Sequence, residues 1–519
     1  MRPSLTRGGV LLAVLVGLPT SSAFAAAAAI LCHPDPPGTK TAKVSGVVKN
    51  YRMRGAGVSI VYSGNHGCRR TYWALGRSLS PAKPAPSSAC ANEPTPPTAT
   101  PNGGTGRVSL IRGSADLPDR VRVVSATGAV RSWPLPEHVQ RFDSFGQKAV
   151  FAGAEREVYA VSLANGRVSL VGLDRHGDVP QIDAPGVVFQ DNLAKQNEYS
   201  GQTLMKFIPA AAVDRALWKS GRPLDLPGKI ERIGMDGFRV ALVVHPGGEC
   251  SQIMYWNIAW SYLSKITDED ERTCHLTTNG GVIRSVAIAG IRSAWIIRSQ
   301  GADRLLTSNS TACFDRIIAT VPRTNGRLTS VSGDGADLAF AMVNTAEQAN
   351  QSGTVLEREV QPLVRGAGAP VAVSVDAGRF AILNRSGTID LRTDRGELTG
   401  TIQEPDATAV ALRANRVVVL TRSGRLQVFV ADTQEKRSDW AAPAGVSSHV
   451  DVQFGVAVLT AGKKVFAVSL KTGRTILVAT APGAVRAEIE PPGIAYSYNT
   501  GSGGHLRFIR FARIEKALR

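Results

Sequence analysis

The sequence lacks the short motifs by which the commonest catalytic sites are recognised. It contains no G-x-S-x-G nucleophile turn, no H-E-x-x-H zinc motif and no Walker-type phosphate loop. We therefore assign no catalytic, cofactor-binding or metal-binding residue, and we expect no cofactor. The histidines are scattered, and each is expected to be a surface or loop residue: His33, His66, His138, His176, His245, His275, His449 and His505.

Long apolar runs are also missing once the first thirty residues are set aside. No later segment reaches the roughly 18 apolar residues of a membrane helix. At the start, Arg2 and Arg7 precede the apolar run 10–19, and Ala23-Phe24-Ala25 resembles a cleavage site. This layout is typical of a secretory signal peptide, so residues 1–29 are predicted to be removed and the protein to be secreted or extracytoplasmic.

Aromatic residues are scarce, at 6% of the chain, whereas the formal net charge is +18. A nucleic-acid surface would cluster its basic residues among aromatic ones, but the arginines here are spread singly along the chain. We therefore expect no nucleic-acid partner. The positive charge still favours an anionic cell-envelope polymer as one class of partner, besides an unidentified protein.

Helical periodicity is nearly absent, and only Ala210–Ser220 and Phe511–Leu518 predict short helices. A repeat takes its place. Residues 149–168 and 456–475 share the pattern V-[FY]-A-V-S-L-x-x-G-R, in which two alternating runs flank an x-Gly pair. Such a pattern predicts a β-hairpin. The likeness continues downstream, because 201–217 also resembles 504–518.

The same order of strands and glycine-containing turns recurs between these blocks. Units are predicted to begin near residues 139, 181, 229, 283, 328, 370, 407, 447 and 484. Four-stranded propeller blades repeat at about this spacing, and closing the ring buries both faces of every blade. The predicted fold is therefore all-β, a single propeller of four-stranded antiparallel blades, with eight blades preferred and seven or nine as alternatives. We expect closure near residue 120, with strands of 120–136 completing the last blade.

Three segments resemble known repeats. The segment 465–474 (VFAVSLKTGR) looks like the repeat of quinoprotein-dehydrogenase-like (PQQ-like) propellers, and 332–340 (SGDGADLAF) is similar to the PD40 repeat of TolB-like propellers. The segment 424–429 (GRLQVF) has a WD40-like rhythm without the Trp-Asp pair. The resemblance covers roughly 139–516 and implies a secreted bacterial β-propeller. The PQQ-dependent enzymes would also imply adjacent cysteines, and this sequence has none.

Composition divides the chain into four parts. Residues 1–29 are the signal peptide, and residues 30–76 form an N-terminal segment that contains strands. Residues 77–106 are rich in Pro, Ser and Thr, as linkers are. Residues 107–519 are assigned to the propeller, and we expect a monomer.

Six cysteines follow the signal segment, and an even number in an oxidising compartment favours disulfides. Cys250–Cys274 is the preferred pair, because a connection between second and third strands and the end of a fourth strand lie on the same side of a blade. Cys68–Cys90 is the next pair, which would join the linker to the strands before it. Cys32 and Cys313 would then pair with each other or stay free.

Metal binding is the alternative for some of these residues. His245, Cys250, Cys274 and His275 are ligand types that zinc prefers, although their spacing matches no zinc module. Residues 268–271 (DEDE) could form a calcium loop, but the spacing of an EF-hand is missing. A disulfide and a solvated acidic loop are the preferred interpretations.

Function follows only loosely from such a scaffold, because propellers host both binding modules and enzymes. The preferred function is a secreted, non-catalytic module that binds a protein or a cell-surface polymer. The alternatives are a hydrolase or lyase with carboxylates at the channel mouth and, third, a cofactor-dependent oxidoreductase. Two or more buried Asp, Glu or His with shifted pKa values at the channel mouth would favour the enzyme, whereas a Val, Ala and Thr lining would oppose it.

Overall fold

The chain folds almost entirely into antiparallel β-sheets, as a computed structural model shows. Within the described residues, four short helices accompany the strands: α1 (Ser87–Ala91), α2 (Ala210–Lys219), α3 (Arg272–Thr278) and α4 (Phe511–Leu518). The structure describes residues 38–75, 77–91, 107–113, 118–136, 138–153, 157–173, 180–191, 203–246, 250–259, 262–265, 272–290, 292–309, 315–335, 337–344, 350–355, 359–366 and 368–519. The predicted signal segment and the stretch 92–106 of the predicted linker lie outside these residues.

The first fifteen strands form three four-stranded sheets and one three-stranded sheet. The orders are β2-β3-β4-β5, β6-β7-β8, β9-β10-β11-β12 and β13-β14-β15-β1, so that β1 pairs with β15 across about 160 residues. Their bounds are β1 (Lys40–Val44), β2 (Val47–Arg54), β3 (Gly57–Gly64), β4 (Gly67–Ala74), β5 (Lys83–Pro84), β6 (Arg107–Ile111), β7 (Arg120–Val124), β8 (Val130–Pro134), β9 (Val139–Phe145), β10 (Lys148–Gly153), β11 (Glu157–Ser162), β12 (Val168–Leu173), β13 (Gln181–Asp183), β14 (Gly186–Asp191) and β15 (Thr203–Pro209).

The remaining strands form seven four-stranded sheets. Six consist of consecutive strands from β17 to β40, and the seventh has the order β41-β42-β43-β16. Their bounds are β16 (Leu224–Leu226), β17 (Lys229–Asp236), β18 (Arg239–His245), β19 (Gln252–Asn257), β20 (Tyr262–Lys265), β21 (Val282–Ala289), β22 (Arg292–Arg298), β23 (Ala302–Asn309), β24 (Asp315–Pro322), β25 (Gly326–Asp334), β26 (Asp337–Asn344), β27 (Asn350–Val355), β28 (Val360–Gly366), β29 (Pro370–Asp376), β30 (Arg379–Asn384), β31 (Thr388–Arg392), β32 (Leu398–Gln403), β33 (Ala407–Arg413), β34 (Arg416–Thr421), β35 (Arg425–Val430), β36 (Lys436–Ala441), β37 (Asp451–Gln453), β38 (Val456–Ala461), β39 (Lys464–Ser469), β40 (Thr475–Thr480), β41 (Val485–Glu490), β42 (Gly493–Thr500) and β43 (Gly503–Arg510).

The nine predicted unit starts are confirmed as starts of sheets, because each lies within four residues of the first residue of β9, β13, β17, β21, β25, β29, β33, β37 or β41. The units also share an irregularity that the sequence pattern did not reveal. In six of these first strands, and in β2, the register to the second strand shifts by one residue near the start of the strand. A bulge of this kind bends a strand and increases its twist.

The first strands of seven sheets contact one another in cyclic order. We call β17, β21, β25, β29, β33, β37 and β41 the channel strands. Each contacts the next in this order, and β41 also contacts β17. At that last junction Ile230 in β17 donates its N–H to Asn499 Oδ1 at 2.8 Å, and Asn499 Nδ2 donates to the Ile230 carbonyl at 2.9 Å. The asparagine thereby satisfies both backbone groups of a strand edge.

The expected closure by residues 120–136 is wrong. The three-residue strand β16 (Leu224–Leu226) pairs with β43 and completes the last sheet, whereas β7 and β8 belong to the separate sheet with β6. The predicted linker also contains structure, since β5 pairs with β4. The predicted domain boundaries as such stay predictions.

A duplication links the two ends of the chain. Gly166 and Gly473 occupy equivalent hairpin turns with φ of +68° and +71°. A Cβ at either turn would lie 2.6 or 2.4 Å from the ring of Trp133 or Trp440, so only glycine fits there. Each indole donates to a carbonyl at the turn, Trp133 to Leu163 at 3.1 Å and Trp440 to Leu470 at 3.3 Å.

The two predicted helices are confirmed as α2 and α4. Each helix begins directly after the third strand of a duplicated unit and packs an apolar face on it, with Val213 and Leu217 buried in α2 and Phe511 and Ile514 buried in α4. Among the described residues, none of the helices has the length and apolarity needed to cross a membrane.

Candidate functional site

The channel strands surround a cavity of about 840 Å³. Their side chains alternate in character, as the two-residue period of a strand requires. One set is apolar and buried between sheets, for example Ile233 and Met235 in β17 and Val373 and Val375 in β29. The other set is small or polar and lines the cavity, for example Ser285, Ser330 and Ser374.

Serine hydroxyls of the lining set form hydrogen bonds between neighbouring channel strands. Val331 N donates to Ser285 Oγ at 3.3 Å, and Leu412 N donates to Ser374 Oγ at 2.9 Å. Each bond joins one channel strand to the next. Because the inner edge of a sheet exposes unpaired N–H groups, these hydroxyls supply acceptors that no backbone strand provides there.

The last residues of the channel strands form a charged cluster at one end of the cavity. These equivalent positions are Asp236, Ala289, Asp334, Asp376, Arg413, Gln453 and Glu490, and we call this set the terminal ring. Four carboxylates and one guanidinium thus converge from strands that are up to 254 residues apart in sequence.

Arg413 is the centre of the terminal ring. Its guanidinium contacts Asp334 and Glu490 directly and lies 3.3 Å from Asp376 Oδ1, while Nε donates to the Val452 carbonyl at 3.3 Å. The side chain is 13% exposed. A single arginine therefore compensates three carboxylates from three different strands, a task that suits its planar set of donors.

The aspartates also accept hydrogen bonds from the next unit. Asp376 Oδ2 accepts from Ala414 N at 2.6 Å, and Asp334 Oδ2 accepts from Ala377 N at 3.3 Å. Asp236 accepts from Gly290 N. In each case the donor is the first turn residue after the following channel strand. Because the same geometry recurs, we assign these three aspartates a structural role: each connects one unit to the next by a hydrogen bond.

The pKa values of this ring follow from burial and like charge. Burial, and then the charge of Asp334, raise the pKa of Asp376 to about 6. Burial raises the pKa of Glu490 well above its usual range, although Arg413 opposes the change. Burial alone would lower the pKa of Arg413, but the charges of Glu490, Asp334 and Asp376 raise it well above its usual value.

Carboxylate oxygens of Asp236, Asp334 and Glu490 lie within 4.8 Å of one another. Oxygen ligands of this kind suit a hard cation such as Ca²⁺. The guanidinium of Arg413 already provides a positive charge in contact with two of the three. The cluster is therefore complete as an ion pair network, and we assign no metal to it.

A second acid and base group lies further along the cavity wall. His449 Nε2 is 3.2 Å from Glu488 Oε1, and the charge of Glu488 raises the pKa of His449 to about 9 against the effect of burial. The imidazole is half-exposed, and His449 lines the cavity. Burial, followed by the charge of Glu488, raises the pKa of Asp451 to about 7. His449 lies in the loop before β37, as expected from sequence, and this loop lines the channel.

Asp451 also connects one unit to the next by a hydrogen bond. Its Oδ2 accepts from Ile489 N in the next strand at 2.7 Å. In the duplicated N-terminal unit, Asp143 Oδ2 accepts from Ile182 N at 3.0 Å, and burial raises the pKa of Asp143 as well. The two aspartates are therefore equivalent structural residues.

The part of the cavity away from the terminal ring is basic. Arg232 in β17, Arg284 in β21 and Arg486 in β41 come from three consecutive channel strands and line the cavity. We call them the arginine arc. Burial, and then the charge of Arg232, lower the pKa of Arg486, although the charge of Glu231 opposes the change. The two guanidinium groups therefore lie near enough to repel each other.

The two preferred disulfides are confirmed. Cys68 and Cys90 lie with their Cα atoms 5.8 Å apart, and Cys250 and Cys274 with theirs 4.7 Å apart. The zinc alternative at His245, Cys250, Cys274 and His275 is thereby wrong, because both sulfurs are in the disulfide and no thiolate is left. Cys32, Cys313 and the acidic loop 268–271 lie outside the described residues.

Sequence reasoning assigned no site residue to the channel and missed the three charged groups there: the terminal ring, the group around His449 and the arginine arc. A signal for the terminal ring exists. Each of its members directly precedes a turn between the first and second strands of a unit, as in Asp334-Gly335 and Asp376-Ala377-Gly378. Aligning the units on these turns would have shown that charged residues recur at one position.

Comparisons with known proteins give little beyond this geometry. No family model matches the chain. No curated protein matches it significantly. Among solved structures, the chain is similar to the crystal structure of the computationally designed Ika8 protein, with 10% sequence identity and a TM-score of 0.38 over 72% of this chain and 97% of that one.

Proposed function

We propose that residues 224–519 form a seven-bladed β-propeller, in place of the eight blades preferred from sequence. The cyclic contacts of the channel strands support this architecture. The pairing of β16 with β43 supports it further, because a blade built from both ends of a ring holds the ring shut. The remaining sheets would form an arc of related units beside the ring, in which β13 contacts both β9 and β2.

We infer that this exported propeller is a non-catalytic binding module. The observation that carries the proposal is that the acidic residues around the channel hold the ring together. Asp236, Asp334, Asp376 and Asp451 each accept a backbone N–H from the next unit, and Arg413 compensates the terminal ring. Carboxylates engaged in this way are poorly placed to exchange protons with a substrate, since doing so would break contacts between units.

Capture from envelope extracts tests this function. The chain lacking residues 1–29 is immobilised and exposed to cell-envelope material at low and at high salt. Retention of one protein or one polymer, with no chemical change in it, supports the binding module. Loss of capture at high salt indicates an anionic polymer, because screening weakens contacts between exposed charges. The absence of any retained component at either salt concentration would contradict the proposal.

An enzyme remains the second candidate, because one side of the sequence criterion favours it, whereas the Val, Ala and Thr residues of the lining oppose it. Asp376, Asp451, Glu490 and His449 have shifted pKa values and lie at the channel. His449 and Glu488 are the pair that could transfer protons, since neither fastens two channel strands through the backbone. Incubation with envelope polysaccharide, followed by measurement of new reducing ends, tests this candidate. Release by the wild type and not by H449Q or E488Q would favour it over the binding module.

A further inference from the structure

The arginine arc differs from every other charged group in the channel because it has no carboxylate partner among the described residues. Arg232 donates only to the backbone carbonyls of Arg284 at 3.3 Å and Glu231 at 2.9 Å. Two acidic side chains lie near the arc: Glu231 accepts from Ser251 Oγ at 3.5 Å, and Glu488 pairs with His449. The charge of Glu231 acts on Arg486 and opposes the effect of Arg232, but none of the three guanidinium groups forms an ion pair among the described residues.

The cavity wall opposite the arc is small and neutral. At corresponding depths, the strands β25, β29 and β33 carry Ser330, Ala372 and Ala409. A ligand in the cavity would therefore contact guanidinium groups on one side, and the small side chains on the other side would leave room for the rest of the ligand. The volume of about 840 Å³ lies within the range of small-molecule sites.

We propose that the arginine arc binds a phosphate or carboxylate group. This group would belong to a small ligand or to the end of an anionic polymer chain. Arginine recognises both oxyanions with paired N–H donors. An oxyanion between Arg232 and Arg486 would remove the repulsion between them. The inference rests on the proposed binding function and assigns the chemistry of its ligand.

Calorimetric titration with two defined probes tests the proposal. The chain lacking residues 1–29 is titrated with tripolyphosphate and, separately, with trigalacturonate. The site variant is R232Q/R284Q/R486Q. The matched control is R323Q/R327Q/R395Q, which loses the same three charges at exposed positions outside the cavity lining. Thermal unfolding of both variants verifies that they are folded.

We expect at least one probe to bind the wild type, and the site variant to weaken that binding roughly tenfold or more per arginine that contacts the anion. The control variant should stay within about twofold, because distant exposed charges are screened. Binding of tripolyphosphate alone supports a phosphate ligand, and binding of trigalacturonate alone supports a carboxylate ligand. Failure of both probes, or an equal loss in the control variant, would overturn the inference.

The envelope capture separates this inference from the function on which it rests. Equal capture by the wild type and by R232Q/R284Q/R486Q would leave the binding module standing and reject the arc as its site. A wild type that binds a probe but captures nothing would reject the module and retain the anion site.

Discussion

The two ends of the channel carry opposite charges and are built differently. At the terminal ring, Arg413 contacts three carboxylates, and the aspartates accept hydrogen bonds from backbone N–H groups of neighbouring units. At the arginine arc, three guanidinium groups lie on consecutive strands without a carboxylate partner among the described residues. The acidic end is compensated by ion pairs within the chain, whereas the described residues form no ion pair at the basic end, where only the charge of Glu231 acts on Arg486.

This difference separates structural from functional residues in a repeat protein. A bond that recurs at equivalent positions, such as that of Asp451 and Asp143 to the next strand, serves the repeat itself. A group that appears in only part of the ring and forms no ion pair within the described chain is the better candidate for contact with a ligand. We expect variants at the two ends to show this contrast, with stability affected at the acidic end and binding at the basic end.

The largest effect is expected at Arg413. R413A leaves Asp334, Asp376 and Glu490 buried without their cation, which should lower the free energy of unfolding by about 3–5 kcal/mol. Denaturant unfolding of the purified variant measures this change. In R413A/D334N/E490Q the uncompensated charges are largely removed, so much of the lost stability should return. Equal stability of R413A and the wild type would show that the ion pairs of the terminal ring do not stabilise the contacts between units.

The disulfide Cys250–Cys274 is expected to contribute the next largest effect. It joins the β18–β19 connection to α3, on the side of the ring from which the channel strands begin. Because it closes a loop of 24 residues, C250A/C274A should lose about 3 kcal/mol, with little dependence on pH. C68A/C90A is the comparison outside the ring. Chemical unfolding at two pH values measures both, and a strong pH dependence in C250A/C274A would contradict the assignment.

A smaller effect that depends on pH is expected at Asp376. Its folded-state pKa of about 6 lies above the unfolded value near 3.9, so the folded chain binds the proton more tightly. Stability from this group is therefore present at about pH 4 and is lost as the pH rises through 6. The amide introduced by D376N cannot ionise, so this substitution should be about 2 kcal/mol less damaging at pH 7 than at pH 4.

Unfolding midpoints of wild type and D376N between pH 4 and pH 8 measure this difference. D394N, at an exposed turn, is the control for the loss of one carboxylate. Asp451 should extend the decline of the wild type to about pH 7, because its pKa is about 7. Parallel pH profiles for D376N and wild type would contradict the shifted pKa of Asp376.

The smallest effect on stability is expected at Arg486. R486Q removes a charge that Arg232 repels and that forms no ion pair in the described part of the chain, although the charge of Glu231 acts favourably on it. Its free energy of unfolding should therefore stay within about 0.5 kcal/mol of the wild type. The same denaturant titration as for R413A gives a direct comparison of the two ends. A loss as large as that of R413A would mean that the arc is also structural.

Much of the strand arrangement is predictable because its determinants are local. Alternating apolar residues and glycine turns indicate each hairpin, and the two matching blocks reveal the duplication. The pairs Cys68–Cys90 and Cys250–Cys274 follow from topology within a single unit. In contrast, β16 has only three residues, too few for any periodicity, and its pairing with β43 is decided by the geometry of closure.

The sequence by itself determined the repeat, its nine unit starts, the two described disulfides and the excess of positive charge. Only the tertiary structure decided which charges meet. Arg413 is 79 residues from Asp334 and 77 from Glu490, and Arg232 and Arg486 are brought together only because β41 lies beside β17. The reason is physical: alternation is set by the two-residue period of each strand, whereas the composition of a channel depends on which strands become neighbours when the chain closes on itself.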